Sequence, residues 1–333
     1  MGSGMIGFLL GRLPQAVGVM LVVALLAFVL FRFAGDPMTF LLGQEATAQE
    51  REMVREQLGL NAPLIVQFGH FVGNALRGEF GVSYQLSRPV VEVIATRLPA
   101  TLELAFVATV IAIGLGLPMG LYAARYPRSL LSRAFMAFSL VGISLPSFFL
   151  GVLLIYWLSI RLGLFPSFGR GETVRLGRWW TTGLLTASGL RSIVLPAITL
   201  SLFQLGFLVR LVRAEAMDVL RAEFIRFARA RGLREGSLLL RHVLRNTSVP
   251  VVTVAGLQIG SLTAFAIITE SVFQWPGVGF LFINAVRTVD IPVMAAYLML
   301  VGLFFVFVNL VVDLLYLALD PRIRRSTGGG AVR

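Results

Sequence analysis

The chain has 333 residues, 57% of them apolar, and carries a net charge of +12 on only 14% charged residues; soluble domains run nearer to roughly 45–50% apolar. All 29 basic residues are arginine and cysteine is absent, which excludes a P-loop lysine for ATP hydrolysis, a Schiff base, disulfides, thiolate metal sites and iron–sulfur clusters. Positive charge concentrated at a few places on an oily chain suits a membrane protein rather than a nucleic-acid binder, and two distant histidines, His70 and His242, give no basis for a histidine metal site.

Residues 1–4, Met-Gly-Ser-Gly, read as an added leader ahead of a natural start at Met5. The first apolar run covers Gln15 to Phe31, preceded by Arg12, and reaches across ~30 Å of hydrocarbon with modest thinning or snorkelling. A signal peptide is the rival reading. No small-x-small cleavage site follows in Phe31-Arg32-Phe33-Ala34-Gly35-Asp36-Pro37, so residues 5–34 are expected to be an uncleaved first transmembrane helix. Residues 35–98 are polar and rich in glutamate, with an amphipathic helix expected over Gln49–Leu58 and Gly59 as its cap. They are expected to form a small folded external segment.

Further spans are expected at Thr101–Ala123, Arg133–Ile160, Ile193–Val212, Val249–Ile268 and Met294–Leu319, six in all. The five after the first make a core over 99–320. Arginine clusters at the N-terminus, at Arg125–Arg133, at Arg213–Arg245 and in the tail 321–333, and arginine-rich segments stay on the cytoplasmic side. Both termini and the loop 213–248 are therefore placed in the cytoplasm. The segment Arg161–Arg191, with five arginines and one glutamate, runs against that rule. Gly116-x-x-x-Gly120 and Gly256-x-x-x-Gly260 let helix backbones approach closely, and Pro118, Pro146 and Pro196 are expected to kink their spans.

Ionisable groups inside spans are costly and draw attention. Glu103 and Glu270 lie near outer span ends, where snorkelling or capping explains them as well as function does. Asp313 lies near the inner end of the last span, where an ion pair with Arg210 or Arg213 is the plainer account. Gln258 and Ser261, polar within the fifth span, are weak candidates for lining a path, as is Asp313. Trp275-Pro276-Gly277 forces a rigid turn outside a span, and a tryptophan there also fits a plain interfacial anchor.

The longest hydrophilic interruption of the second half is Glu215 to Pro250, with seven arginines from Arg221 to Arg245. Met217, Leu220, Phe224, Phe227 and Ala228 recur at helical spacing, which predicts one shared face. Gly232 ends that helix, and a second short helix is predicted over Ser237–Arg245. Composition alone fits a basic amphipathic helix resting on anionic lipid. The residue pattern says more. Arg226-Phe227-Ala228, Gly232, and after nine intervening residues His242-x-Leu244-Arg245-Asn246 resemble the cytoplasmic loop of binding-protein-dependent ABC importer permeases. Ala228, Gly232 and Leu244 match the general consensus of that loop; the departures are those of the dipeptide/oligopeptide branch. Gly35-Asp36-Pro37, Gln57-Leu58-Gly59-Leu60, Gly78-x-Phe80-Gly81-x-Ser83, Glu270-x-x-Phe273-x-Trp275-Pro276-Gly277-x-Gly279, Asp290-x-Pro292, Asn309 through Tyr316 and Asp320-Pro321-Arg322-Ile323-Arg324 resemble the same branch, so the similarity covers essentially the whole chain.

The resemblance implies an all-α integral membrane protein with the type I ABC importer permease fold. It implies an inner-membrane subunit of a bacterial importer for dipeptides or short oligopeptides, with glutathione, nickel chelates, opines or heme as alternatives. Its implied partners are a second homologous permease, two ATPase subunits that bind ATP and magnesium, a periplasmic or lipoprotein substrate-binding protein, and membrane lipid. It assigns ATPase coupling to Arg226, Phe227, Ala228, Arg229, Ala230, Arg231, Gly232, Leu233, His242, Arg245 and Asn246. It assigns an external gate or binding-protein contact to Glu270, Phe273, Trp275, Pro276 and Gly277. No catalytic residue, metal or cofactor is expected in the chain itself, so any energised work draws on a partner. An ion-coupled secondary transporter is the remoter alternative, with Asp313 as its essential acid.

Overall fold

The computed structural model describes residues 2–33, 47, 49, 52, 53, 56, 61–177 and 179–319, without the side chains of 2–10, 249, 250, 253, 257, 259, 261–265 and 316–319. Met1 and the side chains of the rest of the leader, most of Gln49–Leu58 with its Gly59 cap, Gly35-Asp36-Pro37, Gln57 to Leu60, the side chain of Ser261 and the tail from Asp320 lie outside that set.

A chain this apolar must satisfy its backbone internally wherever lipid surrounds it, and helices do so within one segment. Helix α1 covers Gly2–Phe33 and α2 Leu64–Arg77. Helix α3 is Val90–Arg125, about 54 Å at 1.5 Å per residue, longer than the hydrocarbon core. Helix α4, Leu130–Ser144, and α5, Ser147–Leu154, follow, α5 running on through a π-helical stretch to Arg161. A two-stranded antiparallel hairpin, β1 (Val174–Arg175) with β2 (Thr181–Thr182), pairs Val174 with Thr182. Helix α6 is Ala187–Arg221, α7 Glu223–Ala230 and α8 Glu235–Ser237; α8 passes through a π-helical turn into α9, Leu244–Val272. Helices α10, Val278–Thr288, and α11, Ile291–Leu319, complete the described chain.

Four of these helices are long and apolar enough to cross a membrane, and α4 with α5 makes a fifth if that pair, bent by 110°, is one span. The expected straight span Arg133–Ile160 is thus broken. Pro146 has no N–H to donate, and it pushes Leu145 to an extended ψ of 136°. Pro118 and Pro196 stay inside continuous α3 and α6. Several helices outrun their expected bounds, because amphipathic turns such as Val90–Arg97 continue the spans as helix.

Helix α6 is the centre, with 72% of its apolar window buried. Its contact with α3 is set by glycine. A Cβ on Gly116 would lie 3.0 Å from Leu208 Cβ, and one on Gly120 2.6 Å from Val212 Cβ and 3.0 Å from Val209 O. Gly142 and Gly206 bring α4 against α6 in the same way, and Gly256 faces Val312 of α11. Small residues at such crossings let dispersion contacts replace the hydrophobic drive that lipid removes. Helix α1 lies on α11, where Gly302 meets Val23 and Arg12 pairs with Asp313 at 2.9 Å. Its other face, Leu21, Val22, Leu25 and Leu26, is exposed as a lipid-facing surface would be.

Replacing Gly120 by leucine is expected to cost about 1–3 kcal/mol or more by overpacking and to lower the unfolding temperature of the detergent-solubilised protein. Gly114→Leu, one and a half turns away on the same helix and facing open space, is expected to stay near wild type in the same thermal scan.

Candidate functional site

Beyond its apolar run α6 carries Glu215, Asp218 and Arg221 and ends at Ala222, whose ψ of 147° breaks the helix before α7 restarts it. That break splits the face predicted from Met217 to Ala228. Met217, Leu220 and Ala228 pack with the buried Ile225, Leu238 and Val243 against Ala124 and Ala216. Phe224 and Phe227 turn outward instead, 48% and 65% exposed, with Leu233 at 41%. Around them Arg226, Arg229, Ala230 and Arg231 are exposed, and the Arg231 guanidinium lies over the Phe227 ring at 5.8 Å. Glu223, Phe224, Arg226, Phe227 and Ala230 line a shallow, open depression.

Gly232 turns the chain with φ of +79°, and its N–H donates to Arg229 O; only a glycine adopts that backbone at no steric cost. The second short helix expected over Ser237–Arg245 is not separate. From Glu235 the chain is helical without interruption into α9. His242, Arg245 and Asn246 lie on this returning arm, Asn246 Nδ2 donating to His242 O at 2.7 Å.

One residue of this segment escaped the sequence reading. Glu235 accepts from Arg229 Nε at 2.7 Å and lies 3.2 Å from Arg125 Nε at the end of α3. The Arg229 hydrogen bond, aided by the charges of Arg125 and Arg229, holds its carboxyl below the usual range. It is the single carboxylate between Gly232 and Pro250, and that isolation among arginines was the available signal.

At the opposite end, the turn after α9 is built inward. Glu270 is fully buried and accepts from Thr101 Oγ1 at 2.5 Å and from Phe280 N–H at 2.8 Å. Thr101 Oγ1 accepts from Val278 N–H, and Trp275 Nε1 donates to Ala100 O at 2.9 Å. A Cβ on Gly277 would run into the Glu270 carboxylate. Trp275 and Phe273 are each 1% exposed, so Trp275 is not an interfacial anchor; a buried indole keeps its N–H paired. Gln274 and, in part, Pro276 form the turn's surface. Snorkelling fails for Glu270 and for Glu103, but Glu270 does cap a helix, since the Phe280 N–H that donates to it lies in the first turn of α10. Glu103 accepts from Arg170 at 2.6 Å with both side chains almost wholly buried. This pair also neutralises one arginine of the segment that ran against the charge rule.

A third outer contact joins the segment after α2 to the α10–α11 junction. Asp290 is buried and accepts from Ser83 Oγ at 2.5 Å and from the N–H groups of Tyr84 and Gln85. Burial, with Asp290 adding to it, pushes the Tyr84 phenol up to about 12. Asp313 pairs with Arg12, not with Arg210 or Arg213, because α1 packs along α11 where α6 does not. Gln258 is half-buried on α9. The structure thus gathers Arg226 to Leu233 at one end and Glu270 to Gly277 at the other, and leaves Gln258 and Asp313 on separate helices.

Comparison with known proteins bears on both ends. Residues 116–325 match the family described as binding-protein-dependent transport system inner membrane component, and residues 5–105 match its N-terminal companion. A protein assigned as a peptide transport system permease in Brucella abortus (strain 2308) is 38% identical over 321 residues, 96% of this chain and 99% of its own. The glutathione transport system permease protein GsiC of Escherichia coli (strain K12) is 38% identical over the same share. Two structures of inward-facing conformations of the MetNI methionine ABC transporter align with TM-scores of 0.52 and 0.54 at 19% identity, covering 66% and 68% of this chain and 93% and 96% of theirs. That likeness is one of fold.

Arg170→Met leaves Glu103 buried without its cation and is expected to cost about 3–5 kcal/mol, read as a lower unfolding temperature. E103Q/R170M removes both charges and is expected to recover most of that loss.

Proposed function

The chain belongs to the family of binding-protein-dependent transport system inner membrane components, and on that premise we propose that it is one permease subunit of an ATP-driven importer for short peptides or glutathione. The two full-length relatives with those cargoes support the class; between them we favour dipeptides and short oligopeptides. Nickel chelates, opines and heme are lesser alternatives. The single observation that carries the mechanism is the exposed pair Phe224 and Phe227 within an arginine-rich face. Exposed aromatics ringed by guanidinium groups suit a partner with an apolar groove and acidic rim. In this proposal the partner is an ATPase subunit, and Arg226 to Leu233 form its seat, with His242, Arg245 and Asn246 on the arm behind.

The assembly we propose has this chain beside a second, homologous permease, two ATPases that bind ATP and magnesium beneath, and an external binding protein above. The chain spans the bacterial inner membrane six times with both termini cytoplasmic, α9 being counted as a span. Residues 5–34 form the first span, 35–98 the external segment, 99–320 the core with its cytoplasmic loop 213–248, and 321–333 the tail. Glu270, Phe273, Trp275, Pro276 and Gly277 act as the outer gate. Since three of these side chains are buried, any contact with the binding protein is made by the turn's surface, and the buried residues hold its shape. Path lining by Gln258 and Ser261 is part of the same reading. An ion-coupled transporter would need a free carboxylate in the bundle. Asp313 is engaged by Arg12, which favours helix pairing as its role.

The test is co-purification from native membranes followed by uptake. Wild type is expected to bring P-loop ATPases with it. Ala230→Glu, at an exposed position needing no special backbone, is expected to lower uptake at least tenfold while its level in the membrane is unchanged. Uptake at the wild-type rate would reject the seat, and transport by the chain alone on a proton gradient would reject the importer.

A further inference from the structure

We infer that Glu235 is a positioning residue that ties the coupling helix α7 to the inner end of α3, so that movement of α7 is carried into the transmembrane bundle. The inference rests on the importer reading and deepens it.

Three observations converge. First, Glu235 stands between two guanidinium groups on different elements, Arg229 on α7 at 2.7 Å and Arg125 on the last turn of α3 at 3.2 Å. The contact spans about 110 residues of sequence between positions 125 and 235 and joins parts that also meet through the apolar cluster around Ala124, Ala216, Ile225, Leu238 and Val243. Secondly, α7 has a break at each end. Ala222 is extended before it and Gly232 left-handed after it. An eight-residue helix between two such joints would swivel on that cluster unless something fixed its angle. A carboxylate held by one arginine on the swivelling part and one on the fixed part does so. Thirdly, the side chains are 31–41% exposed, and ion pairs at that exposure add little to folding. The arrangement is poorly suited to stabilising the fold and well suited to setting an angle.

Its location adds a consequence. Helix α3 carries Arg125 at one end and, in its first half, Ala100, Thr101 and Glu103, which hold the outer turn and the 161–191 segment. A force applied to α7 through Glu235 therefore acts on the helix that also fixes the outer closure. Without Glu235, α7 would still present Phe224 and Phe227 to a partner but would turn in place.

The experiment uses the whole transporter, purified with its ATPases and reconstituted in vesicles, and reads cargo moved per ATP hydrolysed. Glu235→Gln and Arg125→Gln are each expected to lower that ratio roughly fivefold, the equivalent of about 1 kcal/mol, with ATPase subunits still bound and unfolding temperature unchanged. R125Q/E235Q is expected to be no worse than either single variant. In wild type the ratio is expected to fall as salt rises, since exposed pairs are screened, and in E235Q to be flat. A wild-type ratio in E235Q, or losses that add in the double variant, would overturn the inference. Failure of wild type to retain any ATPase would instead overturn the importer reading beneath it.

Discussion

The close approach of α3 and α6 is the contact on which the rest hangs. Leu208 and Val212 of α6 occupy the space that Gly116 and Gly120 of α3 leave empty. In lipid there is little hydrophobic gain from bringing two apolar helices together, so the attraction must come from many close dispersion contacts. Those require backbones near enough to touch. With α6 packed by α3, α4, α5 and α9, its axis is fixed, and α3 becomes a rod with defined positions along its length. The turn after α9 and, at the other end, the segment around α7 and Glu235 are each attached to that rod through named side chains.

The two attachments differ in kind. At the outer end, the charges are buried: Glu103 with Arg170, Glu270 with Thr101, Asp290 with Ser83. Breaking a buried pair strands a charge where water cannot reach it, so these contacts are nearly all-or-none. They make the outer turn a rigid piece whose shape is kept by Trp275 and by the absence of a Cβ at Gly277. At the inner end, Glu235, Arg125 and Arg229 remain in contact with solvent. Their interactions are weak, screened and reversible. A transporter that must keep its outer architecture while an inner element shifts is served by that division.

Much of this was legible in the sequence, and the rest was hidden for identifiable reasons. The missing lysine, four of the expected spans, the two glycine pairs and the full-length likeness to importer permeases all follow from composition, periodicity and motif. Periodicity failed at Ala222. An alanine gives no sign that the chain goes extended there, and one such residue rotated Phe224 and Phe227 from the core to the surface. Pairing of charges was also out of reach. Glu103 with Arg170 and Arg12 with Asp313 are 67 and 301 residues apart, so only the packing of helices tells which cation meets which acid. The anchor alternative for Trp275 could not be set aside from sequence, because a tryptophan beside a span end has the same local sequence whether it faces headgroups or the carbonyl of Ala100.

The proposed ATPase seat would also give the exposed rings of α7 a role. Phe224 and Phe227 are half-exposed among arginines, and beyond the Arg231 guanidinium over the Phe227 ring the arrangement adds little within this chain. Covering what is still exposed of each ring would release about half of the roughly 1.5–3 kcal/mol of a full burial, available only to a partner that also supplies negative charge for the guanidinium groups. Such a partner would grip α7 through apolar contacts several times stronger than the exposed ion pairs holding α7 to α3. A pull on α7 would therefore strain the ion pairs before it loosened the seat. The strength of coupling would then be set by the weaker attachment, on the permease's own side, and not by how tightly the energy-supplying subunit binds.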